Sequence, residues 1–390
     1  MLSAKLRGKK TLTLRFNAAT QFMHLAPVIA KLRDHGALDR ISLSILTNPA
    51  EIPAMHRKLA GLGLAAPVHS DRCSRFLLFC DGVLSVDQGV VYPYLGCRMR
   101  ACSFHGQPSK GNTYHSFNYR QINTLFFYGP LMRDYYLEAK KANPSWPDIA
   151  CYDVGQPLSD RLFNERPDRL TARRRLGLEP SCFTVVYAPS FEYCSSLATH
   201  GTRIIDALLH LGVNLVVKPH PAFYNTAKCA NAFNQHVPNI REWREQVRRY
   251  DGHSRCVFRE DDSLDAILAI GAADVMLTDY SGIAFDGILL DLGMVYWDCP
   301  LLYSEYLPEC YGVDGEAARR DLACNVGRDA GIVVHDCAEL ADAIATYRED
   351  SSHKAKDRDI VRQRLLCNPG IAAATMAHAV EQLIGVNAID

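Results

Sequence analysis

The stretch Asp274-Val275-Met276-Leu277-Thr278-Asp279-Tyr280-Ser281-Gly282-Ile283-Ala284-Phe285-Asp286 places an apolar run before a polar turn and an amphipathic segment. The run 275–277 predicts a buried parallel strand. Ser281 stands where a helix N-cap is expected. The apolar positions of that helix would be Ile283, Phe285, Ile288, Leu289 and Leu292. The stretch therefore predicts one strand–turn–helix unit of an α/β sheet.

The turn between this strand and helix has the chemistry of an anion site. The first amides of a helix are unpaired and its dipole is positive there, and Thr278 and Ser281 would add hydroxyl donors. Gly282 would let a ligand approach the backbone. Asp279 and Asp286 flank the turn, and Asp279 is a further candidate for binding the ligand. We predict a phosphate on Thr278, Ser281 and Gly282; an ordinary capped crossover helix is the alternative.

Length and composition indicate a two-domain globular protein. The chain has 390 residues, 48% of them hydrophobic and 22% charged. That length exceeds one typical hydrophobic core, so two domains are expected. Lys+Arg and Asp+Glu balance at 43 each, which gives no indication of nucleic-acid binding.

The cysteines and the hydropathy pattern predict a cytosolic protein. None of the 14 cysteines forms a CxxC pair. Without a secretory leader they are expected to be reduced, mostly buried thiols, and the spacing of zinc ligands is missing. No window of about 18 apolar residues occurs, so no membrane span is predicted.

Strands alternate with helical patterns along the whole chain, which predicts doubly wound parallel sheets. The predicted strands are 11–16, 41–46, 81–86, 100–104, 126–128, 183–187, 213–217, 275–277, 294–296 and 331–334. The predicted helices are 21–35, 202–211, 264–270, 338–348 and 371–384.

A loop-like region around 151–167 indicates a hinge between two such halves. We predict an N-terminal Rossmann-like domain at 1–160 and a C-terminal nucleotide-binding domain at 161–368. The C-terminal helix of 369–390 is expected to pack back on the N-terminal domain. In such folds ligands bind outside the carboxyl ends of the strands, in a cleft between the halves.

One histidine at a predicted strand end is a candidate general base. His105 follows the strand 100–104 and precedes Gly106. Imidazole titrates near neutral pH, so it can take a proton from an alcohol. The alternative is a histidine that bonds a loop carbonyl.

A second group of candidates follows the strands 213–217 and 183–187. Pro219 and Pro221 stiffen the turn that carries Lys218 and His220, whose side chains could neutralise a diphosphate and stabilise a leaving phosphate. Ser190 could bond the ligand or only its own turn. Asp160 lies in a turn where a structural role is the more common one.

Two basic segments could contact a membrane surface, and the sequence does not decide whether they do. They are the run 173–175 and the region 241–255, which contains Arg244, Arg248 and Arg249. Most such segments are solvated helix faces, and a minority lie on anionic lipid.

Together the motifs resemble the CDP-glycerol:poly(glycerophosphate) glycerophosphotransferase family, which builds wall teichoic acids and related capsule polymers. The matching pieces are His105-Gly106-Gln107-Pro108-Ser109-Lys110, Gly155-Gln156-Pro157-Leu158-Ser159-Asp160, Tyr187-Ala188-Pro189-Ser190, Lys218-Pro219-His220-Pro221, the stretch 274–286 and Cys367-Asn368-Pro369-Gly370. The first hundred residues match at the level of fold, where His24 and Pro27 stand in an opening similar to that of GT-B glycosyltransferases.

The resemblance implies a GT-B fold with the nucleotide in the C-terminal half. It implies that His105 is the base on the acceptor hydroxyl, and that His220, Thr278 and Ser281 contact the donor pyrophosphate. The motif that contains His105 also makes Gly106 and Lys110 candidates. A cytoplasmic enzyme at the inner membrane face, acting on a lipid-linked acceptor, is implied as well.

The resemblance, together with these residues, implies a transferase that moves a glycerol-phosphate-type unit from a CDP-linked donor to a hydroxyl of a surface polymer or lipid-linked acceptor and releases CMP. Positioning and charge stabilisation suffice for in-line attack on phosphorus, so no cofactor is required, although Mg²⁺ could assist. No metal ligands are assigned. The alternatives are a GT-B glycosyltransferase that uses a CMP- or UDP-sugar, a sugar-nucleotide 2-epimerase and a non-catalytic nucleotide-binding protein.

Overall fold

Two parallel sheets organise the computed structural model, which describes residues 8–71, 80–86, 97–108, 119–224 and 240–386. These residues form two compact units. The first unit takes 8–106, 119–164 and 364–386, and the second takes 107–108 and 165–363 within the described ranges. The predicted boundaries were 160/161 and 368/369.

The sheet of the first unit has the strand order β3-β2-β1-β4-β5-β6-β7. All its strands pair in parallel. They are β1 (Lys10–Arg15), β2 (Ile41–Thr47), β3 (Val68–Ser70), β4 (Gly82–Ser85), β5 (Met99–Cys102), β6 (Thr124–Phe127) and β7 (Ala150–Asp153). The order reverses direction between β1 and β4, which is the position of ligand sites in doubly wound sheets.

The sheet of the second unit has the order β10-β9-β8-β11-β12-β13, again entirely parallel. Its strands are β8 (Thr184–Tyr187), β9 (Asn214–Val217), β10 (Cys256–Val257), β11 (Val275–Thr278), β12 (Gly293–Trp297) and β13 (Ile332–Val334). The order reverses between β8 and β11, where Leu277 is the register partner of Tyr187. These two sheets confirm the predicted α/β fold class.

Helices connect the strands in both units. In the first unit they are α1 (Ala26–Asp34), α2 (Ile52–Gly61), α3 (Pro130–Ala142) and α4 (Asp160–Asn164). The second unit contains α5 (Arg169–Arg175), α6 (Ser196–His210), α7 (Ile240–Arg248), α8 (Ala266–Ala272), α9 (Ala284–Leu289), α10 (Leu307–Tyr311), α11 (Gly315–Arg320), α12 (Leu322–Asn325) and α13 (Cys337–Glu349). Helix α14 (Ala355–Leu365) runs across the boundary at 363/364, and α15 (Ala372–Ile384) lies in the first unit. Among the helices of the described ranges, none is long and apolar enough to cross a bilayer.

The predicted helix 21–35 is broken in two. A 3-10 turn, Ala19–His24, comes first, and α1 begins at Ala26 with Pro27 in its first turn. Proline has no amide hydrogen and suits the first turn of a helix, but it would interrupt a helix that ran through it. The break leaves His24 at the end of the 3-10 turn, beyond the carboxyl end of β1.

Helix α15 belongs to the core of the first unit although it is the last helix of the chain. Its buried face consists of Met376, Ala377, Val380 and Ile384. These side chains pack with residues of β1, β2 and α1 in one apolar cluster. The first unit is therefore built from two separate parts of the sequence.

Candidate functional site

Asp279 joins the loops that follow β8 and β11. Its carboxylate accepts hydrogen bonds from the backbone amides of Ser190 (2.9 Å), Ser196 (3.0 Å), Tyr280 (2.7 Å) and Ser281 (3.2 Å). The Ser196 hydroxyl donates to it as well, at 2.8 Å. We call these five residues the Asp279 junction. Because Asp279 is only 2% exposed and both its oxygens bind protein donors, it holds the loops in place.

Thr278 has a similar structural role. It is completely buried, and its hydroxyl donates to the carbonyl oxygen of Ala188 at 2.7 Å. This bond ties the end of β11 to the end of β8. The sequence analysis assigned Thr278 and Asp279 to the donor, but their side chains are committed to the protein. We therefore assign both a positioning role.

The predicted N-cap at Ser281 is wrong. Helix α9 begins at Ala284, the preceding residue is Ile283, and no side chain caps it. A turn lies between strand and helix, in which the Ala284 amide donates to the Ser281 carbonyl at 3.0 Å. Ser281 is buried, at 6% exposure. Among the described residues it makes no side-chain hydrogen bond, and Gly282 beside it is exposed. Gly282 is thus the exposed residue of this turn, and the Ser281 hydroxyl lies directly before it in the chain.

Ser190 lies on the β8 side of the junction and is 1% exposed. Its hydroxyl donates to Glu192 Oε2 at 2.5 Å. Of the two roles that the sequence left open, the bond within its own turn is the one observed. Glu192 is also buried, at 1% exposure, so a carboxylate that the sequence analysis did not name lies at this edge of the sheet.

Lys218 and His220 follow β9 at the same edge. Lys218 Nζ lies 2.7 Å from Asp262 Oδ1, in the loop after β10. His220 Nδ1 accepts a hydrogen bond from the Ala222 amide at 3.2 Å, and its ring stacks on Phe191 with centroids 4.4 Å apart. A nitrogen that accepts carries no proton, so the proton of the neutral ring is on Nε2. His220 Nε2 is therefore a hydrogen-bond donor, as phosphate binding requires.

Asp286 lies in the first turn of α9 and is half-buried. In the described part of the chain, no hydrogen bond or ion pair to its carboxylate is found. Burial raises its pKa to about 7. The Asp286 carboxylate thus has a pKa close to neutrality and lies in the first turn of the helix that follows Ser281 and Gly282.

His105 lies beyond the carboxyl end of β5 in the first unit. Phe104 before it has a φ of +61°, which is rare for a residue with a large side chain. The Phe104 ring stacks on Phe127 with centroids 6.3 Å apart, and its carbonyl accepts from the Tyr128 hydroxyl at 3.0 Å. Packing and hydrogen bonding thus hold Phe104 in a strained backbone conformation. The next residue, His105, is exposed. Strain maintained in this way is common at functional sites.

The His105 ring is fixed by its Nδ1 atom, which lies 3.1 Å from the Val86 carbonyl oxygen. A carbonyl only accepts, so Nδ1 carries the proton and Nε2 of the neutral ring carries the lone pair. The sequence left open that His105 only bonds a loop carbonyl. That bond is observed at Nδ1, and the lone pair of Nε2 remains available to act as a base. Gly106 follows with a φ of +151°, and Lys110 lies outside the described residues.

His24 approaches His105 but was not predicted as a site residue. The ring centroids are 6.2 Å apart and the planes meet at 68°. Burial, together with the charge of His105, lowers the pKa of His24 to about 4. The only signal in the sequence was its place after the first strand, which by itself does not indicate a neighbouring histidine.

Asp160 is a structural residue. Its carboxylate accepts from the amides of Ala372 (3.0 Å) and Ala373 (2.8 Å), at the start of α15. Burial raises its pKa, and the two amide bonds oppose that shift. The motif 155–160 therefore anchors the C-terminal helix.

The predicted site residues fall into two groups. His105, Gly106 and Asp160 lie in the first unit, whereas Ser190, Lys218, His220, Thr278, Asp279, Ser281 and Gly282 lie in the second. The second group occupies the carboxyl ends of β8, β9 and β11. Within the described ranges, no three His, Cys, Asp or Glu side chains are grouped so as to hold a metal ion.

Solved structures share this fold at low sequence identity. The wall teichoic acid polymerase TagF superposes with a TM-score of 0.61 at 12% identity, over 97% of this chain and 89% of that chain. A putative UDP-N-acetylglucosamine 2-epimerase from Listeria monocytogenes gives 0.57 at 12% identity, over 97% and 98%. UDP-GlcNAc 2-epimerase from Neisseria meningitidis bound to UDP-GlcNAc gives 0.55 at 13% identity, over 96% and 100%. At these identities the likeness shows the fold alone.

A family comparison goes further, although no curated protein sequence matches the chain. The model of the CDP-glycerol:poly(glycerophosphate) glycerophosphotransferases matches residues 146–368, more than half of the 390 residues. The matched range contains the site residues of the second unit and Asp160, and it begins after His105. The chain therefore belongs to the CDP-glycerol:poly(glycerophosphate) glycerophosphotransferase family and is an enzyme of that type.

Proposed function

We propose that the enzyme transfers glycerol phosphate from CDP-glycerol to a hydroxyl of a polymer or lipid-linked acceptor and releases CMP. The acceptor oxygen attacks the phosphorus that bears the glycerol, and the bond from that phosphorus to the CMP oxygen breaks. His105 takes the hydroxyl proton. The family match supports the reaction type.

The proposal is supported mainly by the tautomers of His105 and His220, whose neutral rings carry the proton on different nitrogen atoms. His105 Nδ1 contacts a carbonyl, which places a lone pair on Nε2 for a base. His220 Nδ1 accepts from an amide, which places a proton on Nε2 for a phosphate donor. General base catalysis and stabilisation of a leaving phosphate need these two forms.

The remaining donor contacts are assigned to Lys218, Ser281 and the amide of Gly282. A diphosphate would compete with Asp262 for the Lys218 ammonium. The reaction requires no redox cofactor, and Mg²⁺ would only add to the positive charge on the diphosphate. We therefore expect activity to persist in EDTA and to rise when Mg²⁺ is restored. Complete loss of activity in EDTA, recovered with Mg²⁺, would contradict this assignment.

A donor panel tests the proposal. CDP-glycerol, CDP-ribitol, CMP-sugars and UDP-sugars are compared by thermal shift and by the nucleotide released. We expect a shift with CDP-glycerol, CMP as product and a new phosphodiester. A new glycosidic bond would identify a sugar transferase, and an altered sugar nucleotide without an acceptor product would identify an epimerase. No shift with either CDP-polyol would reject the donor.

Two histidine variants distinguish a role in catalysis from a role in nucleotide binding. His105→Ala should lower kcat by about 100-fold or more while the donor still gives its thermal shift. His56→Ala, at an exposed histidine of α2 in the same unit, is the matched control and should retain activity. Full activity of His105→Ala would favour a non-catalytic nucleotide-binding protein or another base.

The cellular setting proposed is the cytoplasmic face of the membrane, where a lipid-linked acceptor would be available. The two basic segments offer less positive charge for membrane binding than the sequence suggested. Arg173 is 4% exposed and is bonded to Asp274 at 2.6 Å, and Arg248 pairs with Glu245 at 3.1 Å. Flotation with anionic vesicles tests this setting, and absence from the vesicle fraction with and without acceptor lipid would reject it.

A further inference from the structure

Two histidines from separate strand ends meet in the first unit. His24 closes the 3-10 turn after β1, and His105 follows β5. The edge of one ring faces the other, with centroids 6.2 Å apart. The family match does not extend to either residue, because it begins at residue 146.

The Nδ1 atom of His24 is buried and has no hydrogen-bond partner in the described part of the chain. A buried polar atom without a partner is uncommon and costs stability, so it requires an explanation. Among the residues that the structure describes, no acceptor holds a proton on this nitrogen, and the ring contacts the imidazole of His105.

His24 stays neutral when the reaction proceeds at neutral pH. Its pKa is lowered to about 4, firstly by burial and secondly by His105. A proton taken up by His105 adds a like charge nearby, which further disfavours protonation of His24. His24 is therefore a poor general base at this pH and supplies no positive charge to a phosphate. A neutral imidazole can still exchange hydrogen bonds with an uncharged hydroxyl.

We propose that His24 is a positioning residue that hydrogen-bonds a second hydroxyl of the acceptor polyol, next to the hydroxyl that His105 deprotonates. This inference rests on the proposed function. It makes the enzyme selective for acceptors that end in neighbouring hydroxyls. Both histidines then bind the same end of the polyol. Only His105 accepts the proton of the reacting hydroxyl.

Kinetics with a matched pair of acceptors test the inference. One acceptor ends in neighbouring hydroxyls, and the other is its deoxy analogue, which keeps only the reacting hydroxyl. His24→Phe keeps the ring and removes both nitrogens. We expect it to raise the KM for the diol acceptor by roughly three- to tenfold, the value of one hydrogen bond, and to leave the deoxy acceptor unchanged. The donor KM should not change.

Two further variants keep the test decisive. His24→Asn retains hydrogen-bonding capacity and should recover part of the selectivity, and it replaces His24→Phe if that variant does not fold. His56→Phe on α2 is the matched control and should have wild-type kinetics. Equal effects of His24→Phe on both acceptors, or no effect on either, would overturn the inference.

The same experiment separates the two proposals. CMP release by the wild-type enzyme from CDP-glycerol supports the proposed function whatever the His24 variants do. Active wild-type enzyme with unaltered selectivity in His24→Phe and His24→Asn overturns only the role of His24. A wild-type enzyme that releases no CMP overturns both.

Discussion

The side chains that bind the protein and those that remain accessible occupy the same loops. In the loop after β11, Thr278 and Asp279 use their polar atoms within the protein, whereas Gly282 is exposed. A buried carboxylate that accepts several hydrogen bonds is stabilised as the charged form, which opposes the effect of burial on its pKa. The rigidity of the turn therefore depends on Asp279.

Asp279→Asn tests this positioning role. The amide nitrogen of asparagine would face donors that now point to a carboxylate oxygen, which leaves N–H groups without acceptors. We expect the free energy of unfolding to fall by about 2–4 kcal/mol in urea denaturation. Ser281→Ala is the control, because it should lower donor affinity with little change in stability. Unchanged stability of Asp279→Asn with lost donor binding would indicate direct contact with the ligand.

Asp286 gives a prediction for pH. Its pKa is about 7 in the folded protein and 3.8 in the reference state, so folding favours the protonated form. The stability that this group contributes is complete below about pH 3.8 and is lost as the pH rises through 7. Asp286→Asn should match the wild type near pH 3.5 and exceed its stability by roughly 1–4 kcal/mol at pH 8.5.

Thermal melts over this pH range check the prediction, with Asp342→Asn as the control at an exposed carboxylate of α13. A stability difference that does not vary with pH would show that Asp286 has no raised pKa. Lost activity in a stabilised Asp286→Asn variant would show that the carboxylate also serves the reaction.

At the scale of elements, two sequence motifs form one junction around the start of α15. Gly155 has a φ of +87°, and a Cβ there would lie 2.4 Å from the Cys367 carbonyl oxygen. Asn368 Nδ2 donates to the Asp153 carbonyl at 3.1 Å, and Asn164 Nδ2 donates to the Gly370 carbonyl at 2.7 Å. The conformational freedom of glycine is required here, because the two segments approach at backbone distance.

Asp160→Ala should loosen this junction. Two amides at the start of α15 would lose their acceptor, which costs about 1–2 kcal/mol for a helix cap. Hydrogen exchange should accelerate in α15 before it accelerates in β11. Asp168→Ala, which removes an exposed cap from α5, is the matched control and should leave α15 protected. Unchanged exchange in α15 after Asp160→Ala would contradict the anchoring role.

At the scale of the whole molecule, the two units differ in how the chain builds them. The second unit is nearly continuous in sequence, over 165–363, whereas the first needs both 8–164 and 364–386. Each unit has its own parallel sheet. The second unit contains the donor contacts proposed above, and the first contains His105 and His24.

Residues 165–363 expressed alone should fold and bind CDP-glycerol without transferring glycerol phosphate, because they contain Lys218, His220 and Ser281 but not the base. Cooperative unfolding and a thermal shift with CDP-glycerol check this expectation. The same segment with His220→Ala should show a smaller shift. Transfer activity in the isolated segment would remove His105 from the mechanism.

Local pattern was sufficient for the regular elements. The strand predicted at 275–277 is Val275–Thr278, and the helix predicted at 338–348 is Cys337–Glu349. The strands β3, β7 and β10 were missed, because β3 and β7 contain no fully buried residue and β10 has only two residues, so none of them shows an apolar run. The cap at Ser281 failed for the same reason: a turn held by Asp279 delays the start of α9.

The amino-acid sequence by itself determined the α/β class, the alternation of strands and helices and the strand ends where polar chemistry collects, since these follow from local periodicity and from the chemistry of each residue. Only the tertiary structure decided which polar side chains are used up inside the protein. It also decided which nitrogen of His105 and of His220 carries the proton, and that the His24 ring contacts the His105 ring. Those outcomes depend on partners far apart in the chain, such as Val86 with His105 and Ala188 with Thr278, which local pattern does not encode.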